Sequence, residues 1–240
     1  MRTLLLLVLA AGAILFAGCT TMPPACIDGS GQVVTEDRTV PEFQSVSLSM
    51  PAVVTIRDDG APALQVTADD NVLPLISTTV RNGELSLAYT RPCVRPTSAV
   101  QISAGADTIN GLSILGTGDI RTEGVITGTN LKASITGTGS MDLAAEVSRL
   151  ESSITGTGTT VLTGTADDLV ISIPGAGTVD ASKLTARRVT VEILGSGNAL
   201  VDVSESLSVK IMGSGSVVYT GNPGTIEQSI TGSGSIRKVG

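Results

Sequence analysis

Leu131-Lys132-Ala133-Ser134-Ile135-Thr136-Gly137-Thr138-Gly139-Ser140-Met141 carries the pattern that decides the fold. Leu131, Ala133 and Ile135 alternate with polar residues, the period of a strand with one buried face. A Gly-Thr-Gly corner follows, and Met141 resumes the apolar positions. The same arrangement occurs seven times, with triplets starting at Gly116, Gly137, Gly156, Gly175, Gly195, Gly213 and Gly232. Each has an isoleucine two residues earlier: Ile114, Ile135, Ile154, Ile173, Ile193, Ile211 and Ile230. Steps of 18 to 21 residues are too short for domains and fit one rung of a stacked coil.

Four residues after each first glycine a second inward position recurs as Ile120, Met141, Thr160, Val179, Ala199, Val217 and Ile236. Each rung therefore reads as strand, glycine corner, second strand and a variable connection containing Gly124, Gly164 or Gly221. A strand that returns once per rung pairs in parallel with its copies, so the pattern predicts an all-β, parallel β-helix (solenoid). Right-handed coiling is expected, because parallel connections almost always have that hand. Seven rungs about 4.8 Å apart give a rod on the order of 30 Å. Isoleucine forms an internal column, and the glycines are expected to serve as corner residues with unusual backbone angles.

Working toward the N-terminus, Phe43 to Ala104 reads as short strands and hairpins. Val46, Leu48 and Met50 alternate with serines; Val54 and Ile56 precede the turn Asp58-Asp59-Gly60-Ala61-Pro62; Leu64 and Val66 follow it. Asn82-Gly83 between Ile76–Val80 and Leu85–Tyr89 is a strong two-residue hairpin signal.

Residues 1–18 have one basic residue, Arg2, and an uncharged apolar run from Leu4 to Phe16, then Ala17-Gly18-Cys19. That is a secretory layout, with an apolar run short for a membrane span. Its end resembles the bacterial lipobox, which implies acylation of Cys19, although Phe16 stands where the lipobox prefers an aliphatic residue. Acyl chains there would anchor the protein to a bilayer, each buried methylene contributing about 0.8 kcal/mol. Thr20 in place of Asp suggests, by resemblance to enteric sorting, the outer membrane. Residues 19–32, with Pro23 and Pro24, read as a tether, and 33–240 as one β-helical domain.

Cys26 and Cys93 remain as an even pair in an exported chain, which favours a disulfide, with free thiols as the alternative. A metal site is disfavoured, since the chain has no histidine and two cysteines do not complete a tetrahedral set. The whole chain has a net charge of −7; without Arg2 it carries 14 basic and 22 acidic residues, a net −8. Such a surface repels nucleic acid. With two Phe, two Tyr and no Trp, the core is aliphatic and no aromatic platform for sugars or bases is expected.

The alternating N-terminal half, the segment Ala68-Asp69-Asp70-Asn71-Val72-Leu73, the turn before Glu84-Leu85-Ser86-Leu87 and the Ile-x-Gly-[Ser/Thr]-Gly repeats resemble the bacterial "putative auto-transporter adhesin, head GIN domain" family. The resemblance covers roughly residues 43–239. It implies an exported or lipid-anchored β-helical envelope protein, with no catalytic residues to carry over.

Other chemistries fit less well. A phosphate loop needs a following Lys and a helix, and neither accompanies the triplets. A calcium roll needs Asp after each glycine turn, and only Asp119 stands there. A Ser-His-Asp device is excluded without histidine. Asp142 and Asp180, two rungs and about 9.6 Å apart, could act as an inverting carboxylate pair, so a carbohydrate-active enzyme is the alternative function. The column Thr117, Thr138, Thr157, Ala176, Ser196, Ser214, Ser233 could bind an ordered surface such as ice, but its mixed residues favour hydroxyl bonding between rungs. No cofactor is expected. The expected partners are a membrane through the lipid and an envelope or surface ligand. Self-association through an open coil end, making a structural envelope protein, is a third reading.

Overall fold

The structure is a computed structural model that describes residues 26–57 and 63–239. The leader, Cys19 and the turn at residues 58–62 lie outside the described residues.

The chain opens with β1 (Ile27–Asp28), β2 (Val33–Arg38), β3 (Ser45–Leu48), β4 (Val53–Arg57) and β5 (Ala63–Asp69). A 3-10 turn at Leu73–Leu75 leads to β6 (Ile76–Arg81), β7 (Glu84–Tyr89), β8 (Val94–Arg95) and β9 (Gln101–Gly105). The repeats begin with β10 (Gly111–Gly116) and β11 (Asp119–Glu123). Long strands then bend around the corners: β12 (Ile126–Gly137), β13 (Ser140–Gly156), β14 (Thr159–Ile173), β15 (Thr178–Gly195) and β16 (Asn198–Gly213). β17 (Ser216–Thr220), β18 (Thr225–Gly232) and β19 (Ser235–Lys238) make the last layer and its return.

Every pairing from β10 to β19 is parallel, and the corner strands stay in register, with shifts confined to the β14–β15 ladder after Val161 and the β15–β16 ladder after Ala181 and Ala186; the repeats form a β-solenoid of about seven turns. Ile114 lies beside Ile135, Ile135 beside Ile154, Ile173 beside Ile193, and Ile193 beside Ile211. The isoleucines from Ile114 to Ile211 are at most 1% exposed. Full burial of one such side chain is worth about 1.5–3 kcal/mol, so the column is a main source of cohesion.

The glycines do two different jobs at the corners, and the first glycine has a positive φ at six of the seven, Gly175 being the exception. Gly195, the first of its pair, has φ +135°, and a Cβ there would lie 2.5 Å from the carbonyl oxygen of Gly175 one rung below. Gly158, a second glycine, has no such angle; its Cβ would lie 2.7 Å from Cγ2 of Ile135 in the previous rung. Backbone angle alone therefore does not explain the corner: the first glycine also admits the carbonyl of the rung below, and the second has no unusual angle. The second leaves room for the isoleucine beneath it, which is why the two residue types recur together.

The N-terminal half extends the same stack by two layers, in an order that differs from the chain. β3 lies between β7 and β10, and β4 between β9 and β11, all in parallel. Leu87 and Leu48 thereby continue the isoleucine column below Ile114, and both are 0% exposed. Antiparallel strands cover this head end. β5 pairs with β9 and with β2, and β6 pairs with β7. The β6–β7 turn has φ +52° at Asn82 and +76° at Gly83, the two positive angles of a tight hairpin. Arg38 fastens β2 across the end by donating to the carbonyl oxygens of Ile76 at 2.6 Å and Leu73 at 2.9 Å.

Part of the segment 19–32 read as a tether is paired into the head. β1 pairs in parallel with β8, and the Ile27 N–H donates to the Cys93 carbonyl at 3.0 Å. Residues 26–32 thus belong to the folded body.

Candidate interaction surface

The outward positions of the solenoid carry its polar chemistry. Parallel registry brings residue n of one rung beside its counterpart in the next, so charges of opposite sign pair along the rod. Arg149, Asp168 and Arg188 occupy one outward column on successive rungs. Arg188 donates to Asp168 through Nε at 2.6 Å and Nη2 at 2.9 Å, a two-pronged contact. Arg187 reaches Glu205 through Nη2 at 2.7 Å and Asp167 at 3.5 Å. Lys210 meets Glu192 at 2.9 Å, again across adjacent rungs.

These contacts set the titration of the cluster. The hydrogen bond from Arg188 holds the Asp168 carboxyl below the usual carboxylate range, and the reciprocal bond raises Arg188. The bond to Glu205 raises Arg187. These groups are partly exposed, so their pairing adds little stability; the rung spacing is set by the parallel backbone ladder.

Asp142 and Asp180 do share a column, with Val161 between them, as the spacing indicates. Asp180 is occupied locally: its Oδ1 accepts from the Ser182 N–H at 3.0 Å and from the Ser182 hydroxyl at 2.6 Å. The corner column from Thr138 to Ser233 is tied between rungs by its backbone N–H groups, as Thr138 donating to the Gly116 carbonyl at 2.8 Å, and not by its hydroxyls as expected; the side chains that do bond between rungs lie at other outward positions. Ser140 donates to Asp119, Ser216 to Asn198 at 2.7 Å, and Thr185 and Thr220 to Asp202 at 3.1 and 2.9 Å. Thr160 is buried in the second inward column, 1% exposed, between Met141 and Val179. Among the described residues no three His, Cys, Asp or Glu side chains come together as a metal site.

A second polar cluster sits at the head. In the structure Cys26 and Cys93 are bonded, with Cα atoms 4.7 Å apart. Beside them Asp69, fully covered from solvent, accepts from the N–H groups of Gly31 and Thr97, both at 2.8 Å, and from the Thr97 hydroxyl. The Thr97 hydroxyl bond is the main reason its carboxyl titrates below 3.8. Asn71 donates to the Asp28 carbonyl at 2.8 Å and accepts from the Ser30 N–H at 2.9 Å. This clasp ties residues 28–31 to the head layers. In the sequence Asp69 and Asn71 stand out only within a familial pattern; the local signal for the clasp is a turn rich in Asp and Asn before a hydrophobic residue.

The fold and surface define a capped parallel β-solenoid whose outward polar groups pair from rung to rung. The chain belongs to the family described as "putative auto-transporter adhesin, head GIN domain", whose model matches residues 42–223. Solved structures share the fold. A Bacteroides fragilis protein described as a "putative adhesin" is 29% identical, with 89% of this chain and 100% of that chain covered and a TM-score of 0.83. A Parabacteroides distasonis protein described as a "putative lipid binding protein" is 25% identical, covering 90% and 100% of the two chains at a TM-score of 0.75. A "putative adhesin" of Parabacteroides merdae, 18% identical over 89% and 99% of the chains, has a TM-score of 0.75 and shows the fold alone. A search of curated proteins gives no match.

Proposed function

We propose that the protein is a lipid-anchored envelope protein of adhesin-like function. Acyl chains on Cys19 hold it to the outer membrane, facing the periplasm or the cell surface, and the solenoid works by surface contact without catalysis. Its partner is an envelope or surface ligand that meets the flank of the rod. Family membership and the B. fragilis relative support the contact role. The leader ending in Ala17-Gly18-Cys19 supports export and lipidation.

The observation that carries the non-catalytic reading is that Asp180, one of the two candidate acids, is engaged by a neighbouring serine, leaving Asp142 without a partner acid free to act with it. A working acid or base needs a group aimed at a substrate, whereas Asp180 caps Ser182 and Asp168 is held by Arg188. A flank of paired charges at fixed spacing is suited to recognising a repetitive surface. Labelled palmitate fed to producing cells should mark the protein, and Cys19→Ala should abolish the mark; a label that survives the substitution sinks the anchor reading. Protease applied to intact cells separates the two orientations, digestion placing the rod outside. Hydrolysis of an envelope polysaccharide, lost in Asp142→Asn, would overturn the non-catalytic reading.

A further inference from the structure

The tail end of the solenoid differs from the head. The inward columns pass from Leu207, Val209 and Ile211 to Ile226, Gln228 and Ile230 in β18. The first three are at most 2% exposed, whereas Ile226 is 43% and Ile230 41% exposed. β18 pairs with β16 on one side, and among the described residues no strand takes its other edge. An uncovered edge of this kind is a template for strand addition. The head offers no matching surface, because antiparallel β2 and β6 lie over it and β2 presents Glu36, Asp37 and Arg38. Head-to-tail stacking is therefore disfavoured.

The edge strand is instead matched to itself. Thr225-Ile226-Glu227-Gln228-Ser229-Ile230-Thr231 reads alike in both directions except at Glu227 and Ser229. A two-fold axis through residue 228, normal to the sheet, turns a second β18 antiparallel to the first and keeps inward side chains inward. Ile226 then lies against Ile230 of the other copy, Thr225 against Thr231, and Gln228 against Gln228. The two Gln228 side chains can bond amide to amide, so the polar group in this apolar column is satisfied. Each Glu227 faces a serine hydroxyl, so no like charges are directly opposed.

We propose that β18 is a self-recognition edge, through which two copies of this chain join tail to tail by antiparallel pairing centred on Gln228. The contact is isologous and closes at two copies, so it makes a dimer and no filament. Cys26 is bonded into the head layers, so the two copies of Cys26 lie at opposite ends of such a dimer. If Cys19 anchors the chain, as proposed above, the pair bridges two facing membrane surfaces; the pairing itself does not depend on that anchor.

The test uses the full chain, exported and purified in mild detergent. Gln228→Lys and Gln228→Glu each place like charges at the axis, and each should weaken dimerisation at least about tenfold in sedimentation. Mixing the two should restore a heterodimer. Under oxidising conditions Gln228→Cys should form a covalent dimer, since directly opposed Cβ atoms lie about 4.5–5.5 Å apart. Ile226→Cys should not, because its own copy lies four residues away along the pair. A wild-type chain that stays monomeric at high micromolar concentration overturns the proposal. So do charge variants that dimerise like the wild type, or equal cross-linking at 226 and 228. All these readouts are independent of lipidation.

Discussion

Three glycine-to-alanine substitutions separate the two reasons for glycine at the corners. Gly158→Ala places a methyl group 2.7 Å from Ile135 Cγ2 and 2.8 Å from the Gly139 carbonyl oxygen, with no unfavourable backbone angle. Overpacking of this kind costs about 1–3 kcal/mol. Gly195→Ala adds a backbone penalty at φ +135° to a 2.5 Å approach to the Gly175 carbonyl oxygen. A non-glycine residue held in such a region costs about 1–3 kcal/mol by itself, giving roughly 2–6 kcal/mol in all. Gly128 is the control: its Cβ meets nothing within 4 Å and its φ is not positive. Gly128→Ala restricts the unfolded chain and should stabilise by about 0.4–1 kcal/mol. Urea unfolding at an unchanged m-value gives the comparison. The expected order of stability is Gly128→Ala above wild type, then Gly158→Ala, then Gly195→Ala. A Gly158→Ala protein as stable as the Gly128→Ala control would refute the idea that the second glycine exists to admit the isoleucine below.

Three further outcomes follow from the core and the head. Ser152 is 2% exposed in an inward column and its hydroxyl has no hydrogen-bond partner, so Ser152→Ala should raise stability by about 1–3 kcal/mol, read as a higher urea midpoint. Asp69 has a depressed folded pKa, so its stabilisation is complete above its unfolded value of 3.8 and is lost as pH falls through the lower folded value. Asp69→Asn should lower stability at neutral pH and flatten its decline in that acid window, measured by unfolding as a function of pH. The Cys26–Cys93 bond closes a separation of 67 residues; replacing both cysteines with serine should cost about 4 kcal/mol in the chain-entropy account. Calorimetry of the oxidised protein against the double variant checks it.

The repeats were legible because a strand alternates with period two, and the isoleucine at a fixed offset from each corner marks the inward side. The two N-terminal layers carry no repeat signal that marks them as part of the stack. Leu48 and Leu87 occupy the same column as the isoleucines, but Ser49 and Met50 follow Leu48, and Ala88 and Tyr89 follow Leu87, so neither carries a glycine corner. Their stacking order also crosses the chain order, and local pattern carries no information about that. The role of the second glycine depends on what lies one rung below, which alternation along a single strand does not reveal. Asp142 and Asp180 fell two rungs apart as their spacing indicated. The capture of Asp180 by Ser182 is a local Asx pattern, visible in the sequence only as Asp-Ala-Ser. The clasp at Asp69 joins residues 31, 69 and 97, separations at which pattern reading has no purchase.

The in-register solenoid is tested most directly by distances between spin labels on one outward column. Labels at Thr136→Cys and Met212→Cys are four rungs apart and should lie about 19 Å apart along the axis; labels at Leu115→Cys and Thr231→Cys are six rungs apart, about 29 Å. Pulsed electron resonance should give narrow distributions whose means grow in proportion to rung number. Broad distributions, or means that do not follow rung number, would contradict the stacked register on which every surface described above depends.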